Sequence, residues 1–217
     1  FDDVSRMLYR TDASIHEMEP VGLVVPADAE DVVQVIEIAG RRGVSILPRG
    51  GGTSLAGQAV GDSIHLDLSK YMNQILELNR EEKWVRVQPG VVLDELNAFL
   101  KPHGLMFGPD VATSSRANIG GMIGNNSSGA HSLLFGKTLD HLLEMRVVLA
   151  DSTVTTFGTV DEEELGRKEA QQDLEGEIYR TVRRMIDENR EEIDRAFPRV
   201  MRRVSGYNLD AFVRDGG

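Results

Sequence analysis

The sequence contains no cysteine, and this absence removes several classes of chemistry at once. A chain without thiols forms no disulfide, binds no iron–sulfur cluster through cysteine and has no cysteine nucleophile. Long apolar runs are absent as well, since no stretch approaches the ~18 residues that a membrane-spanning helix needs. Positive charge is scarce: 24 Lys and Arg face 35 Asp and Glu, and the net charge of -11 argues against a nucleic-acid partner.

The histidines show no spacing typical of a metal site, and no grouping of serine, histidine and aspartate suggests a catalytic triad. We therefore predict neither a metal site nor catalytic residues in this chain. His65 lies in an alternating segment, and we predict it on the polar face of a strand. His131 follows a glycine-rich stretch and is the histidine that we place near a ligand.

The two ends of the sequence lead to two further expectations. The first residues lack the basic-then-apolar pattern of a signal peptide, so we expect a cytoplasmic protein. The sequence begins with Phe1 and ends at Asp215-Gly216-Gly217 without closing a helix or strand. We therefore expect it to be a piece of a longer protein.

The first seventy residues follow the order strand, helix, strand, loop, strand, which is typical of a compact α/β lobe. Asp28 is a predicted N-cap of the helix, and Gly43 is its predicted C′ residue. The predicted strands of this lobe are 21–26, 44–47 and 64–68, and the predicted helix is 27–42.

A second lobe follows, and the predicted fold class is α+β, built from α/β elements. The acidic run 161–164 predicts a solvated turn. The predicted strands of this lobe are 75–78, 84–87, 142–149 and 154–157, and the predicted helices are 92–100 and 173–197.

Two glycine- and hydroxyl-rich loops are the most informative features of the sequence. The first is 48–58, Pro-Arg-Gly-Gly-Gly-Thr-Ser-Leu-Ala-Gly-Gln, and the second is 117–129, which ends in Gly-Asn-Asn-Ser-Ser-Gly. Glycines allow tight turns and let an anion approach backbone N–H groups without meeting a Cβ. Two such loops indicate a long ligand with two phosphates, and a dinucleotide fits that description better than a single phosphate.

Other interpretations of the first loop are weaker. Gly52 and Gly57 have the spacing of a P-loop, but Gln58-Ala59 replaces the lysine and hydroxyl residue that a P-loop requires. The Rossmann fingerprint G-x-G-x-x-G is absent. An ordinary glycine-rich surface turn is the remaining alternative, although Arg49, Thr53 and Ser54 add a cation and two hydroxyls that such a turn does not need.

The motifs 48–54, 119–121 and 125–129 together resemble the FAD-binding domain of FAD-linked oxidases, the vanillyl-alcohol oxidase or p-cresol methylhydroxylase fold. Within that family the sequence is similar to the group of glycolate oxidase subunits, D-lactate dehydrogenases and D-2-hydroxyglutarate dehydrogenases. Three further segments resemble that group, namely 9–14, 136–142 and 204–210.

The resemblance implies two subdomains, residues 1–70 and 71–217, with FAD extended between them and its pyrophosphate wrapped by the first loop. Members that bind FAD covalently through this loop carry a histidine where this sequence has Thr53, which implies non-covalent FAD. The implied cofactor-binding residues are Pro48, Arg49, Gly50, Gly51, Gly52, Thr53, Ser54, Gln58, Pro109, Asp110, Thr113, Ser114, Ile119, Gly120, Gly121, Gly124, Asn125, Asn126, Ser128 and Gly129.

The resemblance also implies that a C-terminal substrate domain follows and that the parent protein oxidises a 2-hydroxy acid by hydride transfer to FAD. The electrons would pass to an iron–sulfur module or a quinone, with the parent peripheral to the inner face of the membrane. This chain alone would bind FAD without catalysis. Two alternatives stay open: a sugar- or alcohol-oxidising branch of the fold, and a non-catalytic nucleotide-binding module.

Overall fold

In the computed structural model, which describes residues 2–200 and 206–214, the chain divides into two compact units, Phe1–Leu142 and Leu143–Gly217. Val204 and Ser205, from the C-terminal segment that resembles the family, lie outside the described residues, as do Asp215-Gly216-Gly217. The predicted subdomain boundary after residue 70 falls within the first unit and stays a prediction.

The first unit contains a three-stranded parallel sheet in which the last strand along the chain lies between the first two. Its helix begins and ends where the sequence predicts: the Asp28 carboxylate accepts from two backbone N–H groups, and Gly43 adopts a left-handed φ of +65°. The elements are β1 (Gly22–Val24), α2 (Ala29–Arg42), β2 (Ile46–Arg49) and β3 (Ile64–Asp67), preceded by α1 (Asp3–Tyr9).

His65 occupies the central strand of this sheet, and the prediction that it lies on the polar face of a strand is wrong. Its side chain is completely buried, and β3 lies between β1 and β2 in the sheet. The ring Nε2 lies 3.0 Å from the carbonyl oxygen of Gly61. The alternation of apolar and polar residues correctly predicted a strand. It does not show whether the face of the sheet that carries the polar residues is buried under other segments.

The rest of the first unit is organised around a second apolar core. Leu93, Leu96 and Leu100 bury one face of a helix against the segment around Ile119 and Met122 and against an antiparallel hairpin. The elements are β4 (Ile75–Asn79), β5 (Trp84–Val87), α3 (Leu93–Leu100), α4 (Ile119–Gly124) and α5 (Ser132–Phe135), with 3-10 turns at Lys101–His103 and Thr138–His141.

The second unit consists of an antiparallel hairpin and helices. The acidic run 161–164, predicted as a turn, instead starts a helix: Asp161 caps it by accepting from the N–H of Glu164, and acidic residues are favourable in a first helical turn. The elements are β6 (Glu144–Val148), β7 (Val154–Gly158), α6 (Glu162–Ala170), α7 (Leu174–Ala196) and α8 (Ala211–Arg214).

Within residues 2–200 and 206–214, none of the helices combines the length and the apolar character needed to cross a membrane. The same described residues contain no cluster of three or more His, Asp or Glu side chains that could hold a metal ion.

Candidate functional site

The two glycine-rich loops lie side by side in the first unit. The N–H of Gly51 donates to Oδ1 of Asn118 at 2.6 Å, and Nε2 of Gln58 donates to Oδ1 of Asn125 at 3.1 Å. Both pairs join residues 67 positions apart in the sequence, so the loops run in a constant register. The structure thus brings together the two stretches that the sequence singled out.

Asn118 is the residue that fixes the first loop, and it was not among the predicted site residues. Its buried carboxamide accepts from Gly51 and donates to the carbonyl of Gly90 at 2.6 Å. One side chain therefore satisfies two backbone groups from separate segments. The available sequence signal was an asparagine directly before a glycine-rich helix, but that position favours an N-cap, and Asn118 makes no side-chain cap bond.

Two of the loop glycines are needed because neighbouring segments pack closely against them. A Cβ at Gly50 would lie 2.5 Å from Oδ1 of Asn118, and a Cβ at Gly120 would lie 2.6 Å from the Cβ of Pro89. Both distances are far below van der Waals contact. These two glycines are therefore required by the close approach of neighbouring protein atoms, whatever the loops bind.

The first loop also presents free backbone donors. Gly52 turns the chain with a φ of +62°, and among the described residues no protein acceptor bonds the N–H groups of Gly52, Thr53 or Ser54. Successive free N–H groups in a turn form a concave site for anions. The Gly51 N–H is not part of this set, because Asn118 occupies it.

The second loop offers fewer free donors at its start. The first two amides of α4 are taken: Ile119 donates to the carbonyl of Val91 and Gly120 to that of Pro89, both at 2.9 Å. The side chain of Ile119 belongs to the core. In the described structure Gly121 is exposed and its N–H has no acceptor, so it is the first free donor of this segment.

Arg49 does not reach out from the loop. Its guanidinium donates to the carbonyls of Tyr9 at 3.0 Å, Ala59 at 2.8 Å and Thr11 at 2.8 Å. Burial lowers the pKa of Arg49, but an arginine stays charged at any physiological pH. A direct contact between Arg49 and a cofactor stays a prediction. The structure shows Arg49 bound to backbone carbonyls of neighbouring segments.

A third segment, 108–114, joins the second loop through Asp110. The carboxylate of Asp110 accepts from the backbone N–H of His131 at 3.0 Å and contacts its ring Nδ1 at 2.5 Å. These hydrogen bonds from His131 hold the pKa of Asp110 below its usual range. His131, the histidine predicted near a ligand, therefore lies within the same group of loops.

The remaining predicted residues lie along the same loops. Asn126 adopts a left-handed φ of +44°, and its Oδ1 accepts from the N–H of Leu139 at 3.0 Å. Its buried Nδ2 has no hydrogen-bond partner among the described residues. Exposure varies among the rest: Pro48, Thr113 and Gly124 are exposed, Ser114 and Ser128 are half-buried, and Pro109 and Gly129 are buried.

A family model described as FAD binding domain matches residues 20–158. A D-2-hydroxyglutarate dehydrogenase from Pseudomonas putida is 44% identical over 99% of this chain, and a glycolate oxidase subunit, GlcD, from Bacillus subtilis is 33% identical over 73% of it. The chain spans 22% of the length of the first protein and 34% of the second, so these relatives extend well beyond it.

A solved structure of alkyldihydroxyacetonephosphate synthase superposes on 76% of this chain and 32% of its own, with a TM-score of 0.63 and 22% identity. At that identity the likeness shows a shared fold, which confirms the predicted α+β fold of the FAD-linked oxidases. Since the family match covers well over half of the sequence, the chain belongs to the family of FAD binding domains, and FAD is confirmed as its predicted cofactor.

Proposed function

We propose that the first glycine-rich loop holds the pyrophosphate of FAD without a covalent bond. The observation that carries this proposal is the set of free N–H groups at Gly52, Thr53 and Ser54, on a turn that Gly52 opens by its positive φ. Backbone donors of this kind bind phosphate oxygens without burying a side-chain charge. A threonine at position 53 offers no ring nitrogen for attachment to a flavin.

The uncharged side chains of the second loop are suited to the rest of the dinucleotide. Asn125 and Ser128 supply donors and acceptors of the kind that bind ribose hydroxyls, and Gly121 adds a free N–H. Asp110, Thr113 and Ser114 lie on the segment that Asp110 ties to the second loop. We assign that segment to the flavin side of the cofactor, as the family resemblance implies.

When bound, FAD would supply the acceptor for the hydride, which carries both electrons, as a CH–OH group becomes a carbonyl and its hydroxyl proton leaves to a base. We propose that the full-length protein oxidises a 2-hydroxy acid, because the relatives reported above bear the names of such enzymes. The groups that bind the acid would then come from a C-terminal substrate domain. An iron–sulfur module or a quinone would take the electrons, the latter at the inner face of the membrane.

Paired substitutions at Thr53 test the phosphate assignment. Thr53→Asp places a carboxylate beside the proposed pyrophosphate, whereas Thr53→Asn has the same shape without the charge. We expect Thr53→Asp to weaken FAD binding by about a hundredfold, and Thr53→Asn to change it by less than about threefold. The measurement is a titration with FAD followed by flavin fluorescence, with circular dichroism to confirm folding. Equal affinities of the two variants would refute the assignment.

The substrate class is tested on the full-length protein with an artificial dye as electron acceptor. We expect reduction of the dye with D-2-hydroxyglutarate, D-lactate or glycolate, and none with an aldose or an aromatic alcohol. Activity with only the sugar or the alcohol would favour that branch of the family and contradict the 2-hydroxy-acid proposal.

A further inference from the structure

The segment 9–16, which we call the N-terminal strap, precedes the part of the chain that the family model matches. That match begins at residue 20. The strap nevertheless contacts the first glycine-rich loop at several places, from its beginning near Arg49 to Gly57. The most extensive contact is with Arg49, whose guanidinium bonds the carbonyls of Tyr9 and Thr11 and lies 5.1 Å from the centre of the Tyr9 ring.

The strap also bonds the loop at its turn. The N–H of Ala13 donates to the carbonyl of Gly52 at 3.0 Å. In a planar trans peptide the C=O of one residue and the N–H of the next point in opposite directions. Because the Gly52 carbonyl is directed at the strap, the N–H of Thr53 is directed away from it. The strap thereby sets the direction of one of the free donors.

Further contacts extend along the loop. The carboxylate of Asp12 accepts from the N–H of Ala59 at 3.4 Å. The ring of His16 lies against Gly57, where a Cβ would come within 2.7 Å of its Cδ2. The guanidinium of Arg49 donates to the carbonyl of Ala59 at 2.8 Å. Ala59 is therefore hydrogen-bonded both to Arg49 and, through its N–H, to Asp12 of the strap.

The start of the strap is anchored in the parallel sheet. The hydroxyl of Tyr9 donates to the carboxylate of Asp67, the last residue of β3. Asp67 is itself held by the N–H and the hydroxyl of Ser69, at 2.8 and 2.6 Å. Burial, with the carboxylate of Asp67 nearby, raises the pKa of Tyr9 to about 12, so the phenol remains a donor at physiological pH.

We propose that the N-terminal strap is part of the FAD site and that Arg49 is its positioning residue. The strap holds the loop in the conformation that leaves the N–H groups of Gly52, Thr53 and Ser54 free, and Arg49 clamps the strap to the loop. This inference rests on the proposed pyrophosphate function of the loop. It extends the cofactor site to residues before the family match.

The test compares FAD affinities of the whole chain and three variants. Arg49→Lys keeps the charge but loses the multiple bonds to carbonyls, and Tyr9→Phe keeps the ring but loses the bond to Asp67. Arg41→Lys is the matched control, because Arg41 also approaches a backbone carbonyl, that of Glu37, but on the exposed face of α2. Hydrogen exchange at the Ala13 N–H, with and without FAD, reports on the strap directly.

We expect Arg49→Lys to weaken FAD binding by about tenfold and Tyr9→Phe by about threefold, with Arg41→Lys unchanged. FAD should slow exchange at the Ala13 N–H of the wild type more than at amides of the second unit, because any ligand gives some general protection by stabilising the fold. If Arg49→Lys fails to fold, the affinity of Tyr9→Phe decides. If the wild type binds FAD and the variants bind it equally well, the proposed role of the strap is wrong, but the proposed binding of FAD by the first loop stands. If the wild type binds no FAD, both proposals are wrong.

Discussion

Gly120 and Gly121 are adjacent in α4, yet their surroundings differ completely. A Cβ at Gly120 would lie 2.6 Å from Pro89, whereas a Cβ at Gly121 would meet no atom within 4 Å. We expect Gly120→Ala to lower the free energy of unfolding by about 1–3 kcal/mol through overpacking. Gly121→Ala should leave it unchanged or raise it by up to about 1 kcal/mol, since alanine favours a helix. Urea denaturation of both variants provides the measurement, and equal losses would contradict the packing argument.

His65 gives the first unit a pH dependence. Burial lowers the pKa of His65 below its ordinary value, and its Nδ1 is buried without a partner among the described residues. Below pH ~6.5 the unfolded chain therefore takes up a proton that the folded chain does not, and the free energy of unfolding falls. The slope from this group is at most about 1.4 kcal/mol per pH unit.

Replacing His65 by glutamine removes that titration. We expect the stability of His65→Gln, measured by urea denaturation at pH 7.5 and 5.5, to fall less with acidification than that of the wild type. A variant whose stability falls as steeply as the wild type would show that His65 is not responsible.

Residue types at the site were predictable, but their partners were not. The sequence indicated the glycines and hydroxyls of the first loop because turn chemistry is local. It did not indicate Asn118, whose two partners lie 28 and 67 residues away. Arg49 was predicted as a cofactor-binding cation, yet its visible bonds run to backbone carbonyls as far as 40 residues away. Such contacts depend on the assembled fold.

At the scale of elements, α6 and α7 are joined by a largely buried ion pair. Nζ of Lys168 lies 2.5 Å from a carboxylate oxygen of Glu175, and their side chains are 18% and 8% exposed. The hydrogen bond to Glu175 raises the pKa of Lys168, which keeps the ammonium charged. By contrast, Arg195 and Glu192 form a pair on α7 whose side chains are 74% and 59% exposed.

Neutralising one carboxylate in each pair compares the stability that the partly buried pair and the exposed pair contribute. Glu175→Gln leaves the partly buried ammonium without its counter-charge and should cost about 1–3 kcal/mol of stability. Glu192→Gln should cost less than about 1 kcal/mol, because the exposed pair is solvated and screened. Thermal unfolding of both variants followed by circular dichroism gives the comparison. Similar shifts in Tm would count against a structural role for the Lys168–Glu175 pair.

The strands and the helices α2, α3 and α7 were predicted well, and the short helices were not. Strands 75–78 and 84–87 and helix 173–197 match β4, β5 and α7 within a few residues. The helices α1, α4 and α5 were missed because each has seven residues or fewer, too few to show a helical period. In α4, three glycines oppose helix formation, and burial of the side chains of Ile119 and Met122 in the core supplies stability instead.

At the scale of the molecule, the sequence predicted the cofactor class from two loops, and the structure shows how they meet. The first unit holds all of the predicted site residues, and the family match runs through it into β7. This chain covers 22% of the length of its Pseudomonas putida relative. A substrate domain could therefore be inferred only from family resemblance.

Non-covalent binding of FAD through the glycine-rich loops can be tested on the purified chain. The most direct test is the visible absorption spectrum of the purified chain after incubation with FAD and desalting, followed by denaturation and filtration. We predict that flavin absorbance stays with the folded chain and passes into the filtrate on denaturation. A desalted chain without flavin absorbance would contradict binding, and flavin that remains on the denatured chain would contradict non-covalent attachment.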